Sequence, residues 1–330
     1  MKPARVTARC RVDFGGGTLD IWPLGLLHPG AATVNVAIDL TVSAAVAPRA
    51  LGYRIESDGE TFESDSIAGL VARPATALVG RVVEALALPP ATILTASRSP
   101  RGAGLGASSA LAVALLAAAE LAEQGGLRRE PLARARLARD LEARLMGLPT
   151  GLQDHLPAQV GGALALEHHP GGERLRRLAV DLDALGERLL VAYSGQSHFS
   201  AGANWSVVRR RLDGDPEIVE RLDRVRDVAR ALPAALEAAD WASAGQLMAR
   251  EWDARRGLSP EVSTPQLEAL LDRACALGAW GGKACGAGGG GCVAVLAPPA
   301  RGEAIRAAWR ELGAQPLEGA RPTALGFEID

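Results

Sequence analysis

The stretch over residues 99–111, Ser-Pro-Arg-Gly-Ala-Gly-Leu-Gly-Ala-Ser-Ser-Ala-Leu, constrains the fold of this chain more than any other. Its three alternate glycines and the Ala/Leu run that follows predict a glycine loop leading into a buried helix over 111–124. Backbone N–H groups at a helix start are unpaired and the helix dipole is positive there, so the loop is typical of an anion site, most naturally for phosphate. The alternative is a tight strand-to-helix turn whose glycines serve packing, with Ser108 and Ser109 only as caps.

The glycine spacing differs from two well-known nucleotide-binding motifs. It is not the Gly-x-Gly-x-x-Gly that opens a strand–helix–strand unit, and no Lys-Ser/Thr follows the last glycine as in a P-loop. The loop by itself therefore predicts a site for an anion without deciding the class of protein.

The charge balance argues against polyanionic partners. The 330 residues include 36 Lys and Arg against 38 Asp and Glu, which gives a formal net charge of −2. Such a balance offers no general electrostatic support for a nucleic acid or an anionic membrane as partner. The length allows one large or two ordinary domains with sizeable cores.

The cysteines and the apolar runs predict the compartment. The four cysteines have no Cys-x-x-Cys spacing and are interpreted as small buried hydrophobic residues rather than zinc ligands or disulfide partners. They are Cys10, Cys275, Cys285 and Cys292. The sequence opens without a charged-then-apolar signal pattern, and no uncharged run reaches the ~18 residues of a membrane span. We therefore expect a soluble, cytoplasmic protein.

The predicted elements mix strands and helices without strict alternation, which is typical of an α+β fold rather than a doubly wound parallel sheet. Strands are predicted over residues 4–14, 33–47, 53–62 (a hairpin that turns at Asp58-Gly59), 91–96, 162–167, 188–193, 292–296 and 325–329. Helices are predicted over residues 76–86, 111–124, 131–146, 209–231, 233–239, 241–255, 265–277 and 301–312. An irregular loop is expected over 150–158, and a boundary near residue 187 divides the chain into domains 1–187 and 188–330.

Three further segments accompany the first glycine loop. Arg11 is followed by a glycine turn and then Asp20. Asp154 stands in Thr-Gly-Leu-Gln-Asp-His after a predicted helix. Lys283, one of only two lysines, precedes a second glycine-rich run over 286–291. A predicted anion site that is accompanied along the chain by two carboxylates and two basic residues indicates that these segments serve one function.

These segments together resemble the GHMP kinases, the superfamily of galactokinase and of homoserine, mevalonate and phosphomevalonate kinases. The family motif Pro-x-x-x-Gly-Leu-Gly-Ser-Ser-Ala is matched over 100–109, with Ala107 where a serine is usual and Ser109 where an alanine is. The N-terminal motif is matched over 11–20 and the C-terminal one over 286–291. The resemblance implies an N-terminal domain like ribosomal protein S5 domain 2, a ferredoxin-like C-terminal domain and an active site between them.

The resemblance also implies an ATP- and Mg²⁺-dependent phosphoryl transfer. By position, the residues expected to bind the ATP phosphates are Pro100, Gly102, Ala103, Gly104, Leu105, Gly106, Ala107, Ser108 and Ser109. Ser108 and Glu142 would contact Mg²⁺, which prefers hard oxygen ligands. Asp154 would be the general base that deprotonates the acceptor hydroxyl, and Arg11 would orient it and neutralise developing charge. His155 is interpreted as structural.

The acceptor is predicted to be a sugar or sugar phosphate. The segment Phe-Gly-Gly-Gly-Thr-Leu-Asp resembles one in heptose 7-phosphate kinases, with the threonine displaced by one place, and Gly-Leu-Gln-Asp resembles another. A heptose 7-phosphate phosphorylated at its anomeric hydroxyl is the narrowest form of this hypothesis. The substrate-binding residues expected on this basis are Gly17, Thr18, Asp20, Gln153, Asp154, Gly288 and Gly289.

Two other functions remain open at this stage. One is a mevalonate-type kinase or the related ATP-dependent diphosphomevalonate decarboxylase, which would need cationic groups for the substrate. The other is a catalytically silent sugar or ATP sensor. The sequence decides neither the acceptor's stereochemistry, the hydroxyl that is phosphorylated, the oligomeric state nor the pathway. It also leaves open whether Lys283, His198, Trp22, His28 or Trp205 enter the site.

Overall fold

The computed structural model of the chain describes residues 1–197 and 201–330, with only the backbone described for 201–203. The strands are β1 Ala4–Gly15, β2 Ala32–Pro48, β3 Tyr53–Ser57, β4 Glu60–Ser64, β5 Ala91–Ser97, β6 Ala163–His169, β7 Gly172–Arg177, β8 Leu189–Tyr193, β9 Gly281–Ala284, β10 Cys292–Leu296, β11 Gln315–Pro316 and β12 Glu328–Ile329. The helices are α1 Leu24–Leu27, α2 Ile67–Ala72, α3 Ala77–Leu86, α4 Ala107–Gln124, α5 Pro131–Met146, α6 His155–Val160, α7 Leu182–Gly186, α8 Ala201–Leu212, α9 Pro216–Glu237, α10 Trp241–Arg256, α11 Pro265–Ala276 and α12 Gly302–Glu311.

The larger sheet is built on β1 and β2, the two longest strands. Among the described residues its order is β12-β1-β2-β5-β3-β4, with β6 joined to β2 and β7 to β6. Strand β2 pairs with β6 through residues 32–36 and with β5 through residues 42–48. Its seventeen residues are rich in Val, Thr and Ile, which favour an extended, half-buried backbone. The pair β3 and β5 is parallel, with β4, α2 and α3 between them in the chain.

Helix α4 lies in the core and packs on β1 and β2. Most of its alanines, such as Ala110 and Ala117, are buried, and their small side chains allow the helix to lie close to the sheet. Because Gly106 adopts a left-handed φ of 74°, α4 begins at Ala107 and not at 111 as predicted. Within the described residues α4 is also the helix whose length and composition would allow it to cross a membrane, and 67% of it is buried inside the protein.

The smaller sheet has the order β11-β8-β10-β9, with every pair antiparallel. Along the chain its elements run strand, helices, strand, strand, helix, strand. This is the ferredoxin-like arrangement that the resemblance implies. The predicted boundary at residue 187 lies two residues before β8. The last residues return to the larger sheet, where Ile329 pairs with Val6 on β1.

Several predicted boundaries differ from the structure. The predicted helices 209–231 and 233–239 are instead α8 and α9, separated at Gly214, because the Asp215 side chain caps a new helix whose first residue is Pro216. Pro233 lies inside α9 and does not end it.

Short elements account for the remaining differences. The segment 150–158, predicted to be irregular, contains the start of α6. Strand β9 lies in the glycine-rich stretch, and α1, α2, β7, α7 and β11 were not predicted. All of these elements are six residues or shorter. So few residues do not show the hydrophobic periodicity of a helix or a strand, least of all in a sequence rich in glycine and alanine.

Candidate active site

Arg11 on β1 and Asp154 at the start of α6 form the centre of the site. Arg11 is 1% exposed, and its Nε and Nη2 both donate to Oδ1 of Asp154, at 2.9 and 2.6 Å. Its Nη1 donates to the carbonyl oxygen of Gly104 at 2.6 Å. Charge-assisted bonds of this kind are short and directional. The carboxylate is therefore held through one oxygen, while Oδ2 makes no bond to Arg11.

The first glycine loop, residues 100–106, packs by its backbone against the second glycine loop, residues 285–291. A Cβ on Gly104, whose φ is 72°, would lie 2.6 Å from the carbonyl oxygen of Cys285. A Cβ on Gly286 would lie 2.8 Å from the carbonyl oxygen of Gly104. A backbone hydrogen bond of 2.8 Å from the start of β10 to the first loop joins them further. The two glycine runs, far apart in sequence, thus form one structure.

Glu142 on α5 connects the start of α4 to the residue after Asp154. Its carboxylate accepts from Ser108 Oγ at 3.2 Å and from Ser109 Oγ at 3.0 and 3.1 Å. His155 Nε2 lies 2.7 Å from the same carboxylate, and its Nδ1 lies 3.4 Å from the carbonyl oxygen of Leu152. Both ring nitrogens face oxygens that only accept, which favours the protonated ring. Accordingly, although burial lowers the pKa of His155, Glu142 raises it above the ordinary value.

Two cavities meet at Asp154. The first, of about 430 Å³, is lined by the first glycine loop, the start of α4 and the facing edges of β2 and β5. All nine residues predicted to bind ATP phosphates line it. The second, of about 110 Å³, is lined by the turn after β1 and the segment before α6. The residues common to both walls are Arg11, Ser109, Asp154, Gly286 and Ala287.

Asp20 is held at the second cavity by the segment before Asp154. Its Oδ2 accepts a hydrogen bond from the backbone N–H of Gln153 at 3.0 Å. A Cβ on Gly151 would lie 1.8 Å from that oxygen, so only glycine leaves room for the carboxylate there. The side-chain Oε1 of Gln153 is buried and has no hydrogen-bond partner among the described residues. Thr18 lines the same cavity.

The second glycine loop contributes different residues from those predicted. Gly286 and Ala287 line the cavities. Gly288 and Gly289 instead pack on the segment before α11: a Cβ on Gly288 would lie 2.2 Å from the Val262 carbonyl oxygen, and the Gly289 N–H donates to that oxygen at 2.6 Å. The structure therefore places these two predicted substrate-binding glycines outside the walls of both cavities.

A buried ion-pair cluster lies beneath the second loop and was missed by the sequence reasoning. Lys283, whose place relative to the site the sequence left open, is fully buried, contacts Asp13 and lies 3.2 Å from Glu251. It lines neither of the two cavities. Arg255 lies 3.7 Å from Asp13 and 3.4 Å from Glu251. Asp13 also accepts from the Gly286 N–H at 2.8 Å. The sequence feature that could have indicated this cluster is Asp13, which stands two residues after Arg11 and so lies on the same face of β1.

Arg255 links this cluster to the second cavity, whose wall it joins. Gly17, predicted to bind substrate directly, does not line that cavity. A Cβ on Gly17 would lie 2.3 Å from Nη1 of Arg255, so this glycine makes room for the guanidinium group.

The charges of the site shift two carboxyl pKa values in opposite directions. Burial raises the pKa of Asp154 above the ordinary value; Arg11 and His155 oppose this shift, and the nearby Asp20 carboxylate adds to it. Burial would also raise the pKa of Asp13, but Lys283 and the neighbouring arginines hold it far below the ordinary value. Asp13 is thus a fixed anion, whereas Asp154 is poised to take up a proton.

Other sequence candidates lie apart from the two cavities. His28 is buried against Asp223, with 2.8 Å between Nδ1 and the carboxylate. Trp22 and Trp205 do not line either cavity, and Trp22 is 70% exposed. His198 lies outside the described residues.

The cysteines are free, as the sequence predicts, and three are buried. Cys275 is exposed, so its interpretation as a buried residue is wrong. Burial raises the pKa of the Cys10 and Cys285 thiols to about 12, which leaves them protonated and unreactive at neutral pH.

Two family models match the chain in the order expected for one protein. The model described as GHMP kinases N terminal domain matches residues 74–162, and that described as GHMP kinases C terminal matches residues 231–315. Together they span more than half of the sequence. The chain belongs to the GHMP kinase family.

Curated GHMP kinase relatives are similar over different lengths. The chain is 29% identical over 90% of its length to the bifunctional fucokinase/GDP-fucose pyrophosphorylase of Arabidopsis thaliana, and spans 30% of that protein. It is 30% identical over 61% of its length to the galactokinase of Mycobacterium tuberculosis, and spans 62% of it. It is 26% identical to the D-glycero-alpha-D-manno-heptose 7-phosphate kinase of Campylobacter jejuni, with 91% of both chains covered.

Solved structures agree with the GHMP kinase fold. A D-glycero-D-manno-heptose 1-phosphate kinase from Bacteroides thetaiotaomicron superposes with a TM-score of 0.75 and 20% identity over 99% of this chain and 98% of the other. The galactokinase of Lactococcus lactis complexed with galactose superposes with a TM-score of 0.77 and 15% identity, over 99% of this chain and 95% of the other. The phosphomevalonate kinase of Streptococcus pneumoniae superposes with a TM-score of 0.75 and 18% identity, with 99% of both chains covered. At these identities the likeness shows the fold alone.

The matched segments of this GHMP kinase contain much of the site. The N-terminal match includes the first glycine loop, Glu142 and Asp154, and the C-terminal match includes Lys283 and the second loop. Arg11 and Asp20 lie before the matched segments, in the part of the chain that supplies the partner of Asp154 and the carboxylate of the second cavity.

Proposed function

We propose that this protein is an ATP-dependent kinase that transfers the γ-phosphoryl group of ATP to a hydroxyl of a sugar or sugar phosphate. The observation that carries the proposal is the position of Asp154. It lines both the glycine-loop cavity, which is large enough for a nucleotide, and the smaller cavity at Asp20. A carboxylate at such a junction faces both reactants of a phosphoryl transfer.

The reaction follows from the way in which Arg11 holds Asp154. Nε and Nη2 of Arg11 both donate to Oδ1, so Oδ2 is the oxygen that accepts the proton of the acceptor hydroxyl. The hydroxyl oxygen forms the new bond to the γ-phosphorus, the bond from that phosphorus to the β,γ-bridging oxygen breaks, and ADP leaves. Arg11 keeps the base ionised and in place, and its positive charge stabilises the negative charge of the transferring group.

The residues at the start of α4 fit a role for Mg²⁺. Glu142 and Ser108 present hard oxygen donors 3.2 Å apart beside the first glycine loop. The described residues hold no cluster of three His, Cys, Asp or Glu side chains, and Mg²⁺ is usually bound by one or two carboxylates together with substrate phosphates. Bound there, it would neutralise phosphate charge. His155 fixes the second oxygen of Glu142 and so orients the carboxylate.

The acceptor class is proposed from the groups that face the second cavity. Asp20 offers carboxylate oxygens, and Gln153 offers a buried amide oxygen without a partner among the described residues. Hydroxyl groups are the donors that such acceptors require. A sugar supplies several of them in a fixed arrangement, and a heptose 7-phosphate, phosphorylated at the anomeric hydroxyl, is the first acceptor to test.

A second candidate is a mevalonate-type kinase, because Arg255 brings a buried guanidinium to the second cavity and could bind a carboxylate. Against it, Asp13 and Glu251 already lie within 4 Å of that guanidinium and balance its charge.

A small-molecule kinase of this kind works where ATP is maintained, so we propose a cytoplasmic location. Its proposed partners are ATP and a small acceptor, not a nucleic acid or a membrane.

The deciding experiment is a coupled assay of ADP release with monosaccharides, their phosphates, mevalonate and homoserine. We expect turnover with a sugar or a sugar phosphate. In Asp154→Asn we expect turnover to fall by about 10²–10⁴-fold, since a general base is removed. The matched control is Asp227→Asn, an exposed aspartate on α9, which should retain activity. Turnover with mevalonate or homoserine alone would refute the sugar assignment, and an active Asp154→Asn would refute the role of the base.

The metal site is tested by thermal unfolding. Ligand bound to the folded state raises the melting temperature by mass action. We expect Mg-ATP to raise it in the wild type, and the increment over metal-free ATP to be lost in Glu142→Gln. The control Glu123→Gln, an exposed glutamate on α4, should behave as the wild type. An unchanged magnesium increment in Glu142→Gln would contradict the assignment.

A further inference from the structure

A third cavity, of about 180 Å³, shares Asp20 with the second cavity. We call it the Trp22 cavity. It lies among α1, α5 and the turn between β6 and β7, and apart from Asp20 its lining residues belong neither to the proposed phosphoryl transfer nor to the family motifs. The lining side chains that indicate its role are Asp20, Trp22, Leu26, Arg139, His168 and Glu173.

Two apolar side chains of this cavity are exposed to solvent. Trp22 is 70% exposed and Leu26 is 41% exposed, and both line it. A tryptophan combines a large apolar surface with few rotatable bonds, so a ligand that covers the ring gains burial at little entropic cost. The C–H face of a sugar or of a polyol chain is a surface of this kind.

The polar part of the cavity suits hydroxyl groups. His168 is 8% exposed, and its Nε2 has no hydrogen-bond partner among the described residues. Burial lowers the pKa of His168, which keeps the ring neutral at pH 7. A neutral ring nitrogen either donates or accepts, and a hydroxyl group can satisfy it in both cases, whereas an ionised phosphate only accepts.

The charges at the cavity are already balanced. Glu173 is bound by Nε and Nη2 of Arg136 at 3.0 and 2.7 Å. Arg139 donates through Nε and Nη2 to Asp140 at 2.9 and 2.8 Å. With Asp20 also in the wall, the lining carries no excess of positive charge, which favours a neutral ligand over an anionic one.

We propose that the Trp22 cavity binds the neutral, hydroxyl-bearing part of a polyol arm that continues past the sugar ring held at Asp20. In a heptose 7-phosphate this part is the hydroxyl-bearing carbon C6, not the terminal phosphate. The acceptor is then larger than a hexose, and Trp22 and His168 determine its length. This inference rests on the proposed sugar kinase function, and it adds to that function a binding site for the arm of the acceptor.

The test compares acceptors that differ only in this arm: D-glycero-D-manno-heptose against D-mannose, and the corresponding 7- and 6-phosphates. We expect the wild type to prefer the longer acceptor of a pair by about 10-fold or more in kcat/KM, the size of effect that one well-packed group produces. In Trp22→Ala that preference should fall to about 2-fold or less, through a higher KM for the longer acceptor, while the shorter acceptor and ATP are unaffected. Leu26→Ala should change the preference in the same direction. Leu51→Ala, which removes another exposed leucine side chain, in the turn between β2 and β3, should not.

The outcomes separate the two proposals. If no sugar in the panel releases ADP, the proposed function fails and this inference fails with it. If sugars turn over but the wild type shows no preference for the longer acceptor, or if Trp22→Ala lowers kcat/KM equally for both members of a pair, the sugar kinase remains and the Trp22 cavity is not part of its acceptor site. A preference that depends on the phosphate and not on the added carbon also overturns the inference.

Discussion

At the scale of single residues, the site depends on how Asp154 is held between unlike neighbours. Burial and the Asp20 carboxylate raise its pKa, while Arg11 and His155 lower it, and the net shift is upward. In the proposed role of general base, a raised pKa makes Asp154 a better proton acceptor, while the guanidinium of Arg11 on Oδ1 favours its ionised form. Asp20 therefore acts on the acceptor site and on the base at once.

This coupling predicts the acid limb of the pH–rate profile. Because the base must be ionised, kcat/KM should fall as the pH drops through the pKa of Asp154, and that pKa should lie above the ~3.9 of an ordinary aspartate. In Asp20→Asn one cause of the upward shift is removed, so the acid limb should move to lower pH, even though weaker acceptor binding lowers the whole profile. Initial rates between pH 4 and pH 8 test this, and a limb that stays in place or moves to higher pH in Asp20→Asn would count against the coupling.

At the scale of elements, the two glycine loops work as a pair. Each needs glycine because the other loop's backbone occupies the space of a Cβ. The left-handed φ of Gly106 then starts α4, so that the N-terminus of this helix opens on the first cavity with Ser108 and Ser109 in its first turn. The proposed phosphate site is therefore formed by the contact between the loops as much as by either loop.

Gly104→Ala tests the contact between the loops. Its Cβ would lie 2.6 Å from a backbone oxygen of the second loop, so we expect lower stability and a several-fold weaker response to Mg-ATP. The matched control is Gly125→Ala at the end of α4, where φ is 70° but nothing lies within 4 Å of the new Cβ. The control should lose only the cost of the left-handed conformation, about 1–2 kcal/mol. Chemical unfolding and thermal shift measure both effects, and equal losses in the two variants would show that the loop contact has no special role.

At the scale of the whole molecule, the buried cluster around Asp13 joins the two sheets. Asp13 belongs to the larger sheet and Lys283 to the smaller one, and Glu251 and Arg255 come from α10, which packs on β9. Asp13 also holds the second glycine loop through the Gly286 N–H. The position of one half of the protein relative to the other is thus tied to the geometry of the site.

Lys283→Met should destabilise the protein by about 3–5 kcal/mol, because it leaves two buried carboxylates without their closest cation. The control Lys2→Met removes the other lysine, which is exposed, and should not change the unfolding midpoint. Equilibrium unfolding in urea makes the comparison. A midpoint for Lys283→Met equal to that of Lys2→Met would mean that the cluster does not stabilise the joined sheets.

The sequence by itself determined the features that local physics controls. Strand alternation predicts β1, β-branched residues predict β2 and a short apolar run predicts β10, each to within a few residues. The glycine spacing predicts the loop before α4 because positive φ values strongly favour glycine. The order of the motifs identified the family and the fold. The predicted element boundaries were wrong where a helix continues through a proline, as at Pro233, and where an element is short, as in α6 and β9.

Only the tertiary structure decided which side chains meet. Arg11 and Asp154 are 143 positions apart, and Lys283 and Asp13 are 270 apart, so no local period encodes either contact. The first pair could be expected from a resemblance, whereas the second could not, because a lone lysine looks the same in sequence whether it is solvated or buried. Burial depends on the packing of the second sheet and α10 on the first. That packing decides which charges are enclosed on all sides, as Asp13 is, and which, like Asp154, are paired through one oxygen and line a cavity.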